Sequence, residues 1–331
     1  MTSPAHSILD AMFSRPAEQG ASLAFVALRG GDVVAERYGV QAATEFGPAE
    51  QIDANSTLLS WSMAKSITHA VVGLLVTDGL LDVDAPAPVG QWVGTSKGAI
   101  TTLQLLEMRS GLRFVEDYVD EGTSNCIEML FGSTDPSHAH YAAAQPLVEA
   151  PGSMFNYSSG TTNIIARIIG DIVSGAPGGD PAEREQAVTE YLHTRLFEPT
   201  GMSSATAKFD DAGDFVGSSY VYATASDFAR FGELYLHDGV TQQGHGARIL
   251  PVGWADHART RSGHDDTSGL DYGRHWWLWP AFPGSYACHG FDGQFVVVLP
   301  DRDLVLAHLG KTPAAHNPGV LMWLARLAEH L

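Results

Sequence analysis

The chain is poor in cysteine and lysine and has no long apolar run, and each shortage excludes something. Two cysteines, Cys126 and Cys288, stand far apart in 331 residues, so a disulfide framework is not expected. Neither has a metal-ligand spacing, there is no HExxH, and the one close histidine pair is His138-Ala139-His140; no metal is expected. No stretch of roughly 18 apolar residues occurs, and Met1-Thr2-Ser3-Pro4-Ala5-His6 lacks the basic start of a secretory leader, so the expected compartment is the cytoplasm. Basic residues number 19 against 38 acidic ones, a formal charge of -19. A surface that acidic repels phosphate backbones and anionic lipid, so neither nucleic acid nor membrane is an expected partner. Gly-rich phosphate loops are also missing, and with them the usual signature of a nucleotide cofactor.

What is present is a globular composition, 44% hydrophobic and 17% charged. Its length favours two lobes over one core. Ala21 to Tyr38 reads as two strands joined at Gly30-Gly31, a hairpin signal, with a helix before them. From Ser62 the spacing turns helical, with Ile67, Val71, Leu74 and Leu75 on one face and Gly79 as the stop. Residues 85–220 are rich in Gly, Pro, Ser and Asp around short helical pieces. Thr224 to Leu236 is a further helix, GSYACHG, GQFVVVLP and LVLAHLG are strand-like, and a helix over about Pro318 to Leu331 closes the chain. The expected fold is α+β: one antiparallel sheet from residues 1–84 and 221–331, flanked by terminal helices, beside a mostly helical lobe of 85–220, with the site in the cleft between them.

Ser62-Met63-Ala64-Lys65 sets a lysine one helical turn after a serine, in reach of its hydroxyl. A neutral serine is a poor nucleophile until a neighbour accepts its proton, and a lysine can do so only when neutral. The competing reading is a capping serine followed by a solvated lysine. Tyr157-Ser158-Ser159 follows 95 residues later and contains the only tyrosine with Ser or Asn two positions on.

With SxxK and YxS in this order, the chain resembles the serine β-lactamase and penicillin-binding-protein superfamily. SMAKSITHAVVGLLVTDGLLDVDAP, LLEMRSGLRFVEDY, FNYSSGTTNIIARIIGD and GFDGQFVVVLPDRDLVLAHLGKT extend the likeness over roughly residues 52 to 312. They look like the class C-related branch that holds family VIII carboxylesterases and 6-aminohexanoate-dimer hydrolases. The resemblance implies a β-lactamase-like fold and acyl transfer without a cofactor, with Ser62 attacking a carbonyl while Lys65 and Tyr157 handle protons. It also implies an oxyanion hole made by the backbone N–H groups of Ser62 and Phe291, and a substrate contact at Ser159.

The third superfamily motif, a KTG-like strand segment, falls on Cys288-His289-Gly290. Cysteine cannot supply the positive charge that holds a carboxylate, unless His289 substitutes for it, and this departure argues against antibiotic hydrolysis. Cys288 is either a thiol facing the cleft or a small buried hydrophobe, and Gly290 and Gly293 either shape the hole or mark a bend in an edge strand. Lys311-Thr312-Pro313 looks like KTG but follows the strand and reads as a decoy. Tyr118 matches a tyrosine that contacts the scissile amide in 6-aminohexanoate-dimer hydrolases; the alternative is a core tyrosine bonded to a loop carbonyl. In His275-Trp276-Trp277-Leu278-Trp279, alternate residues are expected in the sheet core, the alternative being that one of them lines an acyl pocket.

The resulting expectation is a serine hydrolase of a small ester or non-peptide amide, 6-aminohexanoate-oligomer hydrolase-like with esterase activity. Its alternatives are a family VIII-type carboxylesterase without amidase activity and a non-catalytic, penicillin-binding-like ligand-binding protein. The sequence leaves the oligomeric state open.

Overall fold

The computed structural model describes residues 3–45, 47–118, 124–243 and 246–331. Met1 and Thr2, which begin the stretch read above for a leader, lie outside them. Among the described residues the main sheet has eight strands: β1 (Ala21–Arg29), β2 (Asp32–Tyr38), β3 (Gly263–Asp265), β4 (Leu270–Tyr272), β5 (Trp277–Leu278), β6 (Tyr286–Gly290), β7 (Gln294–Leu299) and β8 (Leu304–Lys311). Their spatial order is β2-β1-β8-β7-β6-β5-β4-β3. Every recorded pairing in it is antiparallel, and β1 lies directly against β8. The N-terminal hairpin and the C-terminal strands therefore share one sheet, as expected. Gly30 and Gly31 both have positive φ, 57° and 85°, which the tight hairpin turn requires.

Both faces of the sheet are covered. On one, Phe25 and Ala27 of β1 meet Val297 and Leu306 under two terminal helices, α1 (Pro4–Phe13) and the closing helix Asn317–His330. On the other, Ala24, Val26 and Leu28 meet Val296, Val305 and Ala307 under α2 (Ala64–Thr77) and the helix Ala225–Leu236. Successive strand residues point to opposite faces, so covering both makes the inner strands largely apolar on each face. That also explains a departure from the aromatic alternation expected at 275–279: His275, Trp276, Trp277 and Trp279 are all buried.

Helix α2 is likewise more central than its one-face pattern implied, for every residue from Ala64 to Leu75 is buried. The loop-rich stretch holds α3 (Ser159–Ser174) and also Pro181–Leu192, a helix whose start signal is plain: Asp180 accepts from the N–H groups of Ala182 and Glu183, and Pro181 follows it. A second, three-stranded sheet pairs Leu58–Leu59 with Val221–Ala223 and ties the chain entering α2 to the 206–223 segment. No helix of the described residues is long and apolar enough to cross a membrane.

Candidate active site

Ser62 lies in a 3-10 turn, Trp61–Met63, that runs into α2. The turn is anchored by Ser60, whose N–H donates to Val221 O at 2.8 Å and whose hydroxyl donates to Ser219 O at 3.1 Å. Trp61 has φ 45°, a left-handed conformation that non-glycine residues rarely hold, immediately before the serine. Neither this turn nor α2 has a side-chain cap, and Lys65 is 1% exposed, so the reading of a capping serine with a solvated lysine does not describe these residues. Lys65 Nζ instead contacts three oxygens: Ser62 Oγ at 2.9 Å, Ser159 Oγ at 2.9 Å and the Ser218 carbonyl at 3.1 Å. It also lies 4.9 Å from the Tyr157 ring centroid. Ser218 supplies a backbone oxygen, for which the sequence carries no side-chain signal.

Tyr157 sits just before α3, whose first turn is capped by Ser158 accepting from Thr161 N. Its ring packs on Trp277 and Tyr272, with centroids 5.3 and 5.6 Å away. Burial of the hydroxyl raises the Tyr157 pKa; the Lys65 charge pulls it back, Glu116 pushes it up, and hydrogen bonding to Ser62 and Lys65 lowers it, leaving a net rise. The phenol is therefore protonated at neutral pH, on a ring beside Lys65 Nζ.

Glu116 completes this side of the site and was not singled out from the sequence, although it heads the Glu116-Asp117-Tyr118 segment. Its carboxylate accepts from Ser159 N at 2.7 Å, Ser159 Oγ at 2.5 Å and Tyr118 OH at 2.7 Å. An anion at a helix N-terminus is favoured by the free N–H groups there. Tyr118 is 45% exposed and its ring lies 5.5 Å from that of Phe291. A core tyrosine bonded to a loop carbonyl is thus excluded.

The opposite wall is the end of β6. Strand β5 pairs only with Tyr286 and Ala287, so Cys288 to Gly290 are unpaired on that side. A Cβ on Gly290 would lie 2.3 Å from the Ser60 carbonyl, so glycine lets the strand approach the serine turn. Phe291 follows it, 39% exposed, its ring 5.6 Å from Trp61. Cys288 is 1% exposed, beside Ser66, and burial pushes its thiol pKa well up. His289, on the other sheet face, packs between Trp277 and Phe295 at 5.4 and 4.9 Å, and burial lowers its pKa to about 3. It is neutral at neutral pH and does not replace the missing lysine charge. Lys311 pairs with Asp292 at 3.6 Å and Thr312 N donates to Asp292 O at 2.8 Å, so the KTG-like decoy backs the turn from behind. His138 and His140 lie near Asp210 and Asp135 respectively, and the described residues contain no metal-binding cluster of His, Cys, Asp or Glu.

The sheet and helices thus bring a half-buried Ser62, the buried Lys65 and Tyr157 together at one place. The Beta-lactamase family model matches residues 9–329, and the chain belongs to that family. It is similar to the 6-aminohexanoate-dimer hydrolase of Paenarthrobacter ureafaciens, with 28% identity over 328 residues, 92% of this chain and 76% of the relative. Its fold matches a family VIII carboxylesterase at TM-score 0.70 and 16% identity, covering 99% of this chain and 95% of the other. It also matches a D-stereospecific amidohydrolase from Streptomyces sp. at TM-score 0.64 and 16% identity, covering 95% and 97%.

Proposed function

We propose that the protein hydrolyses an ester or a non-peptide amide through an acyl-enzyme on Ser62, in the manner of a 6-aminohexanoate-oligomer hydrolase with esterase activity. The observation that carries this reading is the 2.9 Å contact between Lys65 Nζ and Ser62 Oγ on a lysine 1% exposed. Lys65 accepts the Ser62 proton as Oγ bonds to the carbonyl carbon, and the charge that forms on the carbonyl oxygen is met by the Ser62 and Phe291 N–H groups. Protonated Tyr157 gives its proton to the departing nitrogen or oxygen and regains one from Lys65. Water then attacks the acyl-enzyme, losing its proton to the same pair and returning the serine. A non-catalytic binder has no use for a nucleophile held beside a buried base. The absence of a cation at position 288, and a neutral His289, argue against substrates held by a carboxylate as in antibiotic hydrolysis.

The test is turnover of p-nitrophenyl butyrate, nitrocefin and the linear 6-aminohexanoate dimer by the native protein and by Ser62→Ala. Ser62-dependent cleavage of ester and dimer but not nitrocefin supports the reading. Cleavage of the ester alone makes the protein a carboxylesterase. No turnover, with no labelling by a fluorophosphonate, returns it to the binding proteins.

A further inference from the structure

The turn Phe291–Gly293 is held at each of its three carbonyls. Gln294 Nε2 donates to Phe291 O at 3.0 Å and to Gly310 O at 2.7 Å, while its Oε1 accepts from Gly310 N at 3.0 Å. Thr312 N donates to Asp292 O at 2.8 Å. His308 Nδ1 donates to Gly293 O at 2.8 Å, and its Nε2 accepts from the Ser22 hydroxyl at 2.8 Å. These partners admit only one orientation of each side chain: two carbonyls face the Gln294 NH2 and one N–H faces its oxygen, and Gly293 O can only accept. Gln294 is 3% exposed and His308 fully buried, in strands built mostly of Val, Leu, Ala and Phe.

Burying an amide and an imidazole in an apolar sheet carries a desolvation penalty that valine would avoid, so packing alone does not account for them. What they hold is one peptide. Gly290 is fixed on one side of Phe291 by its ladder pairing with Gln294, and the Phe291 carbonyl is fixed on the other by the Gln294 side chain. Asp292 next to it has φ 62°, a left-handed conformation that needs support in a non-glycine residue. An oxyanion donor acts only if it is aimed before charge develops, because a turn free to relax would give back in reorganisation what it gains in contact.

We propose that Gln294 and His308 are positioning residues for the reaction, clamping the Phe291 turn so that its N–H and that of Ser62 converge on the substrate carbonyl oxygen. This rests on the serine-hydrolase reading above.

The experiment compares native protein with Gln294→Met, His308→Asn and His308→Gln for kcat and KM on p-nitrophenyl butyrate, fluorophosphonate labelling rate and Tm. Asparagine places an amide where Nδ1 was and keeps a donor for Gly293 O; glutamine places one where Nε2 was and keeps only the Ser22 link. Removing a whole oxyanion donor lowers kcat about 10²–10³-fold, so a loosened one in Gln294→Met is expected to lower it about 10–100-fold with KM within about twofold. The labelling rate falls in parallel, since the phosphonyl oxygen takes the oxyanion's place. The kcat of His308→Asn exceeds that of His308→Gln by about tenfold or more.

Kcat and labelling within about threefold of native in both Gln294→Met and His308→Gln would overturn the proposal. So would equal losses in the two His308 variants, which would mark the histidine as structural. If Gln294→Met does not fold, the His308 pair decides; if no variant folds, the residues are structural and the proposal falls. A native protein that neither labels at Ser62 nor cleaves the ester overturns the hydrolase reading and this one with it. Native labelling beside unimpaired variants overturns this one alone.

Discussion

The Glu116 carboxylate accepts both the backbone N–H and the hydroxyl of Ser159, at 2.7 and 2.5 Å. Because the Ser159 proton is committed to Glu116, the oxygen's lone pairs face Lys65 Nζ, 2.9 Å away. Glu116 thus orients the serine that orients the lysine.

Glu116→Gln keeps the shape but replaces one acceptor oxygen by an NH2 that confronts a donor. Hydrogen bonds to a charged group are worth about 1.5–3 kcal/mol, and a loss of that order should appear as a lower Tm. We expect kcat on p-nitrophenyl butyrate to fall about tenfold or more as Lys65 loses its fixed partner. Unchanged Tm and kcat would show that the carboxylate merely fills space.

In the proposed mechanism Lys65 is the base, and Tyr157 and the N–H groups cannot replace its proton transfer. Lys65→Met, close to it in volume, should lower kcat/KM about 10²–10⁴-fold. Ser62→Ala should abolish covalent labelling altogether. The check is mass spectrometry of the intact protein after a fluorophosphonate, alongside ester kinetics. A Ser62→Ala protein that still acquires the label on another residue would move the nucleophile elsewhere.

Gly290→Ala tests the closeness of the two walls, since its Cβ would meet the Ser60 carbonyl, a backbone atom that cannot swing aside, at 2.3 Å. The strand must retreat, separating the Phe291 N–H from that of Ser62. We expect kcat to drop about 10²-fold or more, with a lowered Tm. Gly319→Ala in the closing helix meets nothing within 4 Å and has no positive φ, so it should match or slightly exceed native stability, by up to about 1 kcal/mol. Thermal melts of the two side by side separate a steric effect from a general intolerance of added methyl groups.

Acid should destabilise the fold through its buried histidines. His275 donates from Nδ1 to Leu106 O and accepts at Nε2 from Thr162, and burial, foremost, lowers its pKa from 6.5 to about 3. The unfolded chain therefore takes up a proton that the folded one refuses. Stability is full above pH 6.5 and declines as pH falls toward about 3, by about 1.4 kcal/mol per pH unit for each such histidine once the unfolded form is protonated. Urea titrations between pH 7 and 4 measure the slope. His275→Asn, which retains a donor for Leu106, should be shallower by one histidine's share; identical slopes would mean that His275 does not titrate in this way.

The local pattern determined much of this protein. Gly30-Gly31 between β-branched residues specified the hairpin, the apolar runs near the C-terminus specified strands, and Ser62 three residues before Lys65 set a hydroxyl and an amine one turn apart, because backbone periodicity alone brings residues at that spacing together. The pairing of β1 with β8 and the burial of α2 on all sides required the assembled sheet, since neither can be read from neighbours in sequence. Tertiary structure alone decided the rest of the site: the Ser218 carbonyl on Lys65, Glu116 on Ser159, and Gln294 and His308 behind Phe291. These are contacts between residues distant in the chain, several of them through backbone atoms that every residue carries. No residue type or spacing announces such a contact, because what selects it is the geometry of packed elements.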